Sequence, residues 1–260
     1  MPVFYDQLKR NVSLDKTPKR IISIVPSQTE LLFYLGLADN IIGVTKFCTH
    51  PYHQTKHTTK IGGTKQLNIE LIRELQPDLI IANKEENERS QVEDLMNICP
   101  VWISDIDDLA GALAMIEDVG AIVNREVEAN TLVKSISNQF NALIKVEKSL
   151  TVAYLIWRKP YMVAGVGTFI NSMLRLCGFT NAFELNRYPQ VDVEMLVNAN
   201  PDLIFLSSEP FPFTEKHIEE FKAILPNAKI VLVDGEMFSW YGSRLLLTPR
   251  YFSSVIESLV

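Results

Sequence analysis

The stretch CTHPYHQTKH, Cys48 to His57, gathers three of the chain's four histidines beside one of its three cysteines. Imidazole and thiolate are the side chains that zinc selects. If Pro51 opens a short helix, His53 and His57 stand four apart on one face, an acceptable ligand spacing. With His50 they could furnish a zinc-dependent hydrolase. The charge around them argues the other way. No Asp or Glu occurs from Asn40 through Ile69, while Lys46, Lys56, Lys60 and Lys65 fall in the same span. A divalent cation would sit among like charges with no local anionic ligand. The stretch is therefore assigned no metal. It reads as a positively charged lip, with His50 contributing to a pocket beside Phe47, and with His53 and His57 in solvent.

No other catalytic pattern stands out: G-x-S-x-G, the Walker loop and H-E-x-x-H are all missing. Gly165-x-Gly167 precedes a helix but lacks the third glycine of a dinucleotide fingerprint, having Ile170 there, and reads as a tight turn capped by Thr168. The expectation is a binding protein, with no catalytic residues and no intrinsic cofactor.

Composition narrows the class. A chain of 260 residues, 47% hydrophobic, has material for two lobes. A net charge of −6 argues against a nucleic-acid binder. Cys48, Cys99 and Cys177 are odd in number and far apart, so no disulfide framework is expected; Cys99 and Cys177 read as packed thiols. No run of about 18 apolar residues suggests a membrane span. The first twenty residues show neither the apolar core of an export signal nor a cysteine for a lipid anchor.

These residues are positioned by a repeated frame. NIELIRELQPDLIIANKEE (68–86) and DVEMLVNANPDLIFLSSEP (192–210) align at a constant offset of 124 residues, matching Glu70 with Glu194, Pro77 with Pro201 and Glu85 with Glu209. Each copy has a capping residue (Asn68, Asp192), a short helix ended by proline, and an apolar run without polar alternation. Such a run suits a central parallel strand covered on both faces. Further strands are expected at 20–25, 40–45, 101–104, 151–156 and 229–234, with helices at 29–37 and 168–178, the latter stopping at Gly178. Apolar residues recur at helical spacing from Val127 to Ile144. They predict one helix from Asn124 to Lys145, about 33 Å long at 1.5 Å per residue. The domain reading is an α/β lobe over 1–122, a connecting helix over 123–148, and a second α/β lobe over 149–260.

KRIISIVPSQTELLFYLGL, the PDLII strand, the two lobes and the single connecting helix together resemble the class III substrate-binding proteins of ABC importers, which bind cobalamin, iron siderophores or haem. The resemblance covers about residues 18–258. It implies two Rossmann-like lobes with central parallel sheets joined by one long α-helix, and a ligand cleft lined by loops at the carboxyl ends of the strands. Against the cobalamin-binding members, Phe47 takes the aromatic position after the second strand and Tyr188, in RYPQV, a second one. Glu236, Trp240 and Arg244 fall in the last loop, GEMFSWYGSR. Thr64 stands near the place of another ring-stacking tryptophan. Beside these, Trp157 and Arg158 at a strand end and Tyr241 complete the expected ligand set, because aromatic faces and arginine forks suit a flat chelate with anionic or carbonyl-rich groups. Glu70 and Glu194 match the carboxylates that dock on the membrane permease. The resemblance further implies a corrinoid or iron-chelate ligand, a permease dimer as partner, a monomer, and a periplasmic or cell-surface location. A cytoplasmic sensor on the same scaffold is the alternative reading.

Overall fold

The apolar runs that the sequence offers as buried strands are enclosed on both faces: every residue of Leu79–Asn83 and of Leu203–Ser207 is buried. The computed structural model describes residues 3–259. The chain divides into two units. One comprises Met1–Ile106, Ala110–Ser137 and Tyr241–Leu246, and the other Asp107–Leu109, Asn138–Trp240 and Leu247–Val260.

The first unit runs β1 (Val3–Tyr5), β2 (Asn11–Ser13), β3 (Ile21–Ser23), α1 (Pro26–Tyr34), β4 (Ile41–Val44), α2 (Tyr52–Thr55), β5 (Thr59–Lys60), β6 (Gly62–Gly63), β7 (Gln66–Leu67), α3 (Ile69–Glu74), β8 (Leu79–Asn83), α4 (Arg89–Met96) and β9 (Val101–Ser104). Its central sheet is parallel, in the order β5-β4-β3-β8-β9. Two helices, α5 (Leu109–Ile122) and α6 (Glu126–Asn141), link the α/β halves.

The second unit follows with β10 (Thr151–Trp157), β11 (Tyr161–Val163), α7 (Phe169–Leu176), β12 (Thr180–Asn181), β13 (Gln190–Val191), α8 (Val193–Ala199), β14 (Leu203–Ser207), α9 (Glu215–Ile224), β15 (Lys229–Val233), α10 (Gly235–Ser239) and α11 (Thr248–Leu259). Its sheet order is β13-β11-β10-β14-β15, with β12 also on β10. The centre β10-β14-β15 is parallel, and β11 adds an antiparallel partner to β10. The core of this unit packs Leu155, Phe183, Leu196, Leu206 and Phe221.

The repeat proves to be a set of matched structural devices. Asn68 and Asp192 both cap their helices, accepting from the backbone N–H of Leu71 and Met195 at 3.1 and 2.8 Å. Gln76 and Asn200, each just before the proline, take left-handed backbone angles, φ 47° and 40°. The aspartate of each PDLI then ties its strand to the start of the neighbouring one. Asp78 accepts from the N–H groups of Lys19 and Arg20 at 2.9 and 2.8 Å. Asp202 accepts from Thr151 through both its N–H and its hydroxyl, each at 2.8 Å, and the Thr151 N–H and hydroxyl bonds hold its carboxyl below the usual range.

The connecting helix is shorter than its spacing predicts. Asn124, at φ 56°, breaks the chain between α5 and α6, and α6 has 16 residues, about 24 Å. Ala129, Leu132, Ile136 and Phe140 bury its inner stripe, whereas Val127 and Ile144 are exposed. Beyond Asn141 the chain leaves the helix to run beside α7, where Val146 N–H donates to Cys177 O at 2.9 Å. Gly178, at φ +88°, stops α7 as expected, and a Cβ there would lie 3.1 Å from that of Lys145.

Candidate functional site

The histidine-rich stretch is built around its cysteine. Cys48 is buried, its sulfur 3.1 Å from Thr29 Oγ1 and 3.2 Å from Thr45 Oγ1. Burial pushes its thiol up, with the two threonine hydroxyls pulling the other way. The thiol is thus a packed anchor for the turn after β4. That turn presents Phe47, 52% exposed, with Lys46 Nζ 5.1 Å from the ring centre. Gly63 makes room for the ring, since a Cβ there would lie 3.2 Å from Phe47 Cε2. His50 is half-buried; Tyr52, His53 and His57 are exposed on and after α2. Among the described residues, no three His, Cys, Asp or Glu side chains come together as a metal site. The expected helix after Pro51 forms but ends at Thr55, so His57 falls beyond it and does not share a helical face with His53; both are exposed, as read from the sequence.

At the carboxyl ends of β8 and β9 a buried amide network closes the sheet. Asn83 Nδ2 donates to Ser104 Oγ at 3.0 Å, Gln28 Nε2 donates to the same oxygen, and Asn83 N–H donates to Asn87 Oδ1 at 2.8 Å. Gln28 Oε1, Ser27 Oγ and Ser243 Oγ are buried without a hydrogen-bond partner. The segment Tyr241–Leu246 belongs to this unit. Arg244 grips Glu30 with a two-point ion pair, Nε and Nη2 at 3.0 and 2.8 Å, and is buried. The carboxylate that holds it is Glu30, more than two hundred residues away in sequence. Tyr241 is buried too, its hydroxyl on Glu86 Oε1 at 3.1 Å.

In the second unit Trp157 ends β10, 39% exposed, with its ring edge-on to Phe211 at 5.8 Å. Arg158 donates to Glu220 Oε2 through Nε and Nη2, at 2.9 and 2.8 Å, and Tyr161 donates to the other oxygen at 2.5 Å. Burial works to raise the Glu220 carboxyl, but the Arg158 and Tyr161 bonds outweigh it and hold it low. Burial, and then the bond to Glu220, push the Tyr161 phenol up to about 12. Tyr188 is half-buried, with the Arg187 guanidinium 6.0 Å from its ring centre. Trp240 is buried and donates through Nε1 to Glu209 Oε1 at 2.8 Å; Ser239 Oγ donates to the same oxygen at 2.9 Å. Phe238 lies wholly in the core. Glu236 is half-buried in the first turn of α10.

Glu209 was not singled out from the sequence as a site residue. Burial pushes its carboxyl up, and the nearby charges of Glu236 and Asp234 act the same way. The repeat carried the signal, since it pairs Glu209 with Glu85. Glu30 and Glu220 gave none, because their meaning comes from partners distant in sequence. Glu70 and Glu194 are both exposed in the first turns of α3 and α8, as the helix reading required.

The chain matches the family model "Periplasmic binding protein" over residues 21–225. It is 29% identical over 212 residues to the uncharacterized ABC transporter substrate-binding lipoprotein YvrC of Bacillus subtilis (strain 168), covering 76% of this chain and 67% of that one. It is 27% identical over 195 residues to a vitamin B12-binding protein of Vibrio campbellii, covering 73% and 70%. In fold it is similar to the periplasmic heme-binding protein RhuT of Roseiflexus sp. RS-1, with a TM-score of 0.79 at 20% identity over 92% of this chain and 97% of that one. The family model spans strands of both units and the helices that link them, and on that ground the chain belongs to the periplasmic binding protein family, among the class III substrate-binding proteins of ABC importers.

Proposed function

We propose that this chain is the substrate-binding component of an ABC importer, taking up a metal chelate of the corrinoid, haem or ferric-siderophore kind and delivering it to a membrane permease. The observation that carries the ligand class is a pair of exposed aromatic rings. Phe47 and Trp157 follow β4 and end β10, one in each unit, 52% and 39% exposed at the carboxyl ends of parallel strands. Loops at those ends are where open α/β sheets bind ligands, and an exposed ring there offers its face to a flat, partly apolar molecule. The names of relatives support the same class: vitamin B12 for one and heme for another. His50, Arg158, Tyr188, Glu236, Trp240, Tyr241 and Arg244 complete the proposed set. Arg158, Trp240, Tyr241 and Arg244 act chiefly by positioning, since their polar groups are engaged within their own units. The protein binds and does not catalyse, as its family does. It carries no cofactor of its own; the metal arrives within the ligand. Glu70 and Glu194 are the proposed permease contacts, the working unit is a monomer, and the location is the periplasm or cell surface, a reading supported by the word lipoprotein in the name of one relative.

Calorimetric titration with cyanocobalamin, cobinamide, haem and a panel of ferric siderophores tests this. One-to-one binding to one of them, weakened by Phe47→Ala and Trp157→Ala, supports the reading and names the ligand. A folded sample that binds none of them overturns the ligand class.

A further inference from the structure

Helices α3 and α8 start on the same repeated frame yet present different faces. On α3, Arg73 stands three residues after Glu70 and its guanidinium lies 3.3 Å from that carboxylate. At the offset of 124 residues the counterpart of Arg73 is Val197. Val197 is 47% exposed, and Val193, four residues before it, is 46% exposed. Residues three and four apart on a helix are surface neighbours, so Glu194 stands beside Val197 on an apolar strip. Helix α8, VEMLVNA, has no basic residue to engage it. The counterpart of Val193 is Ile69, which is only half-exposed. One unit thus offers a carboxylate already answered by its own arginine. The other offers a carboxylate with no basic partner on its helix, beside a strip of two exposed valines.

We infer that the two acidic contacts are unequal, and that α8 carries the dominant docking surface: Val193, Glu194 and Val197 fit an importer membrane subunit that presents a cationic side chain in apolar surroundings. The inference rests on the importer reading above. Its physical basis is desolvation. An ion pair enclosed by apolar contacts attracts more strongly than an exposed one, against the cost of desolvating both charges, and removing one partner then leaves the other enclosed and unpaired. The exposed Glu70–Arg73 pair is weak in itself, but a partner cation at Glu70 must compete with Arg73 and meets its like charge. Two isolated exposed valines would need no explanation; their place as one strip beside a carboxylate that no basic residue of α8 engages, where the repeat has an arginine on the other helix, is what points to a partner.

The test is photo-cross-linking in cells of the source organism. Benzoylphenylalanine replaces Asn198 on α8 or its repeat counterpart Glu74 at the end of α3, both exposed, and products are identified by mass spectrometry. The position-198 probe is expected to join an ABC importer membrane subunit in the higher yield. Glu194→Ala should lower that yield at least about fivefold and Glu70→Ala less than about twofold. V197R, which gives α8 the arrangement of α3, should act like Glu194→Ala, and R73V should raise the yield at position 74. Equal yields with equal losses, or a dominant position 74, overturn the inference and leave the importer reading standing. No importer subunit from either position, with melting curves like those of the parent protein, overturns both.

Discussion

Replacing Glu209 separates two roles that one half-buried carboxylate plays. Its Oε1 accepts from Trp240 Nε1 at 2.8 Å and from Ser239 Oγ at 2.9 Å. Ser239 also lies 2.9 Å from Gly235 O and has a second acceptor. The loss in Glu209→Ala therefore falls on the indole, within packed surroundings. Removing the acceptor of a buried donor costs about 1–3 kcal/mol, which in a chain of this size lowers Tm by about 2–4 °C per kcal/mol. Glu209→Gln keeps a carbonyl oxygen for the indole and removes a charge that burial disfavours. The sign of the pH effect follows. The folded carboxyl holds its proton more tightly than the unfolded one, whose ordinary value is 4.5. Folding therefore takes up protons in the window above 4.5, and this group's contribution falls as pH rises through it. Glu209→Gln has no such loss, so it should gain on the parent protein as pH rises above 4.5. Urea unfolding at several pH values reads both effects. Glutamine as destabilising as alanine, or a gap between Gln and parent that is flat with pH, would refute the reasoning.

Three further outcomes follow from the same geometry. Phe47→Ala or Trp157→Ala should weaken ligand binding about three- to tenfold by titration, as expected for a lost aromatic face, and leave the melt almost unchanged because both rings are substantially exposed. Thr168→Ala should cost about 1–2 kcal/mol in denaturant unfolding, because its buried hydroxyl oxygen accepts from Asn171 N–H at 3.1 Å and caps α7. Glu70→Ala with Glu194→Ala should abolish uptake of the ligand into cells while titration shows its binding intact; unchanged uptake would count against the docking role.

Much of the frame was legible because it rests on local rules. A polar residue before an apolar-periodic run marks a helix start, and Asn68, Thr168 and Asp192 all proved to be caps. Unalternating apolar runs marked β8 and β14. The connecting helix was overextended because periodicity continues through Leu143 and Ile144, while the chain there is claimed by the end of α7. The site was legible only by position. Residue type placed Phe47, Trp157 and Arg158 at strand ends, but not the carboxylates that fix the arginines. Glu220 and Glu30 lie 62 and 214 residues from their partners, and nothing local in sequence encodes such a pair. The aromatic loop after β15 suggested Trp240 and Tyr241 as rings for a ligand; the structure buries both, Trp240 on Glu209 and Tyr241 on Glu86, with Phe238 in the core beside β14.

The repeat shows where this divergence is tolerated. Its matched devices stand before the strands: the caps, the left-handed residues 76 and 200, and the aspartates 78 and 202 tying each strand to the next. Past the strands the match dissolves. Asn83 ends β8 with its carbonyl turned to the N–H groups of Glu85 and Glu86 at 2.8 and 3.0 Å, and its amide to Ser104. At the equivalent place Ser207 is too short for that net, and its hydroxyl meets Tyr154 and the backbone of Glu209 instead. A serine cannot carry both the donor and the acceptor spread of a carboxamide, and the second unit instead holds an indole on the half-buried Glu209. The amino ends thus hold a fixed scaffold, and the carboxyl ends, where such sheets bind their ligands, are free to differ. Substitutions that exchange residues between the halves should follow the same division. Asp202→Asn weakens a tie that both halves share, because a neutral carboxamide oxygen accepts less strongly than the carboxylate oxygen that takes both the Thr151 N–H and its hydroxyl. A change at Ser207 alters a local net that only one half possesses.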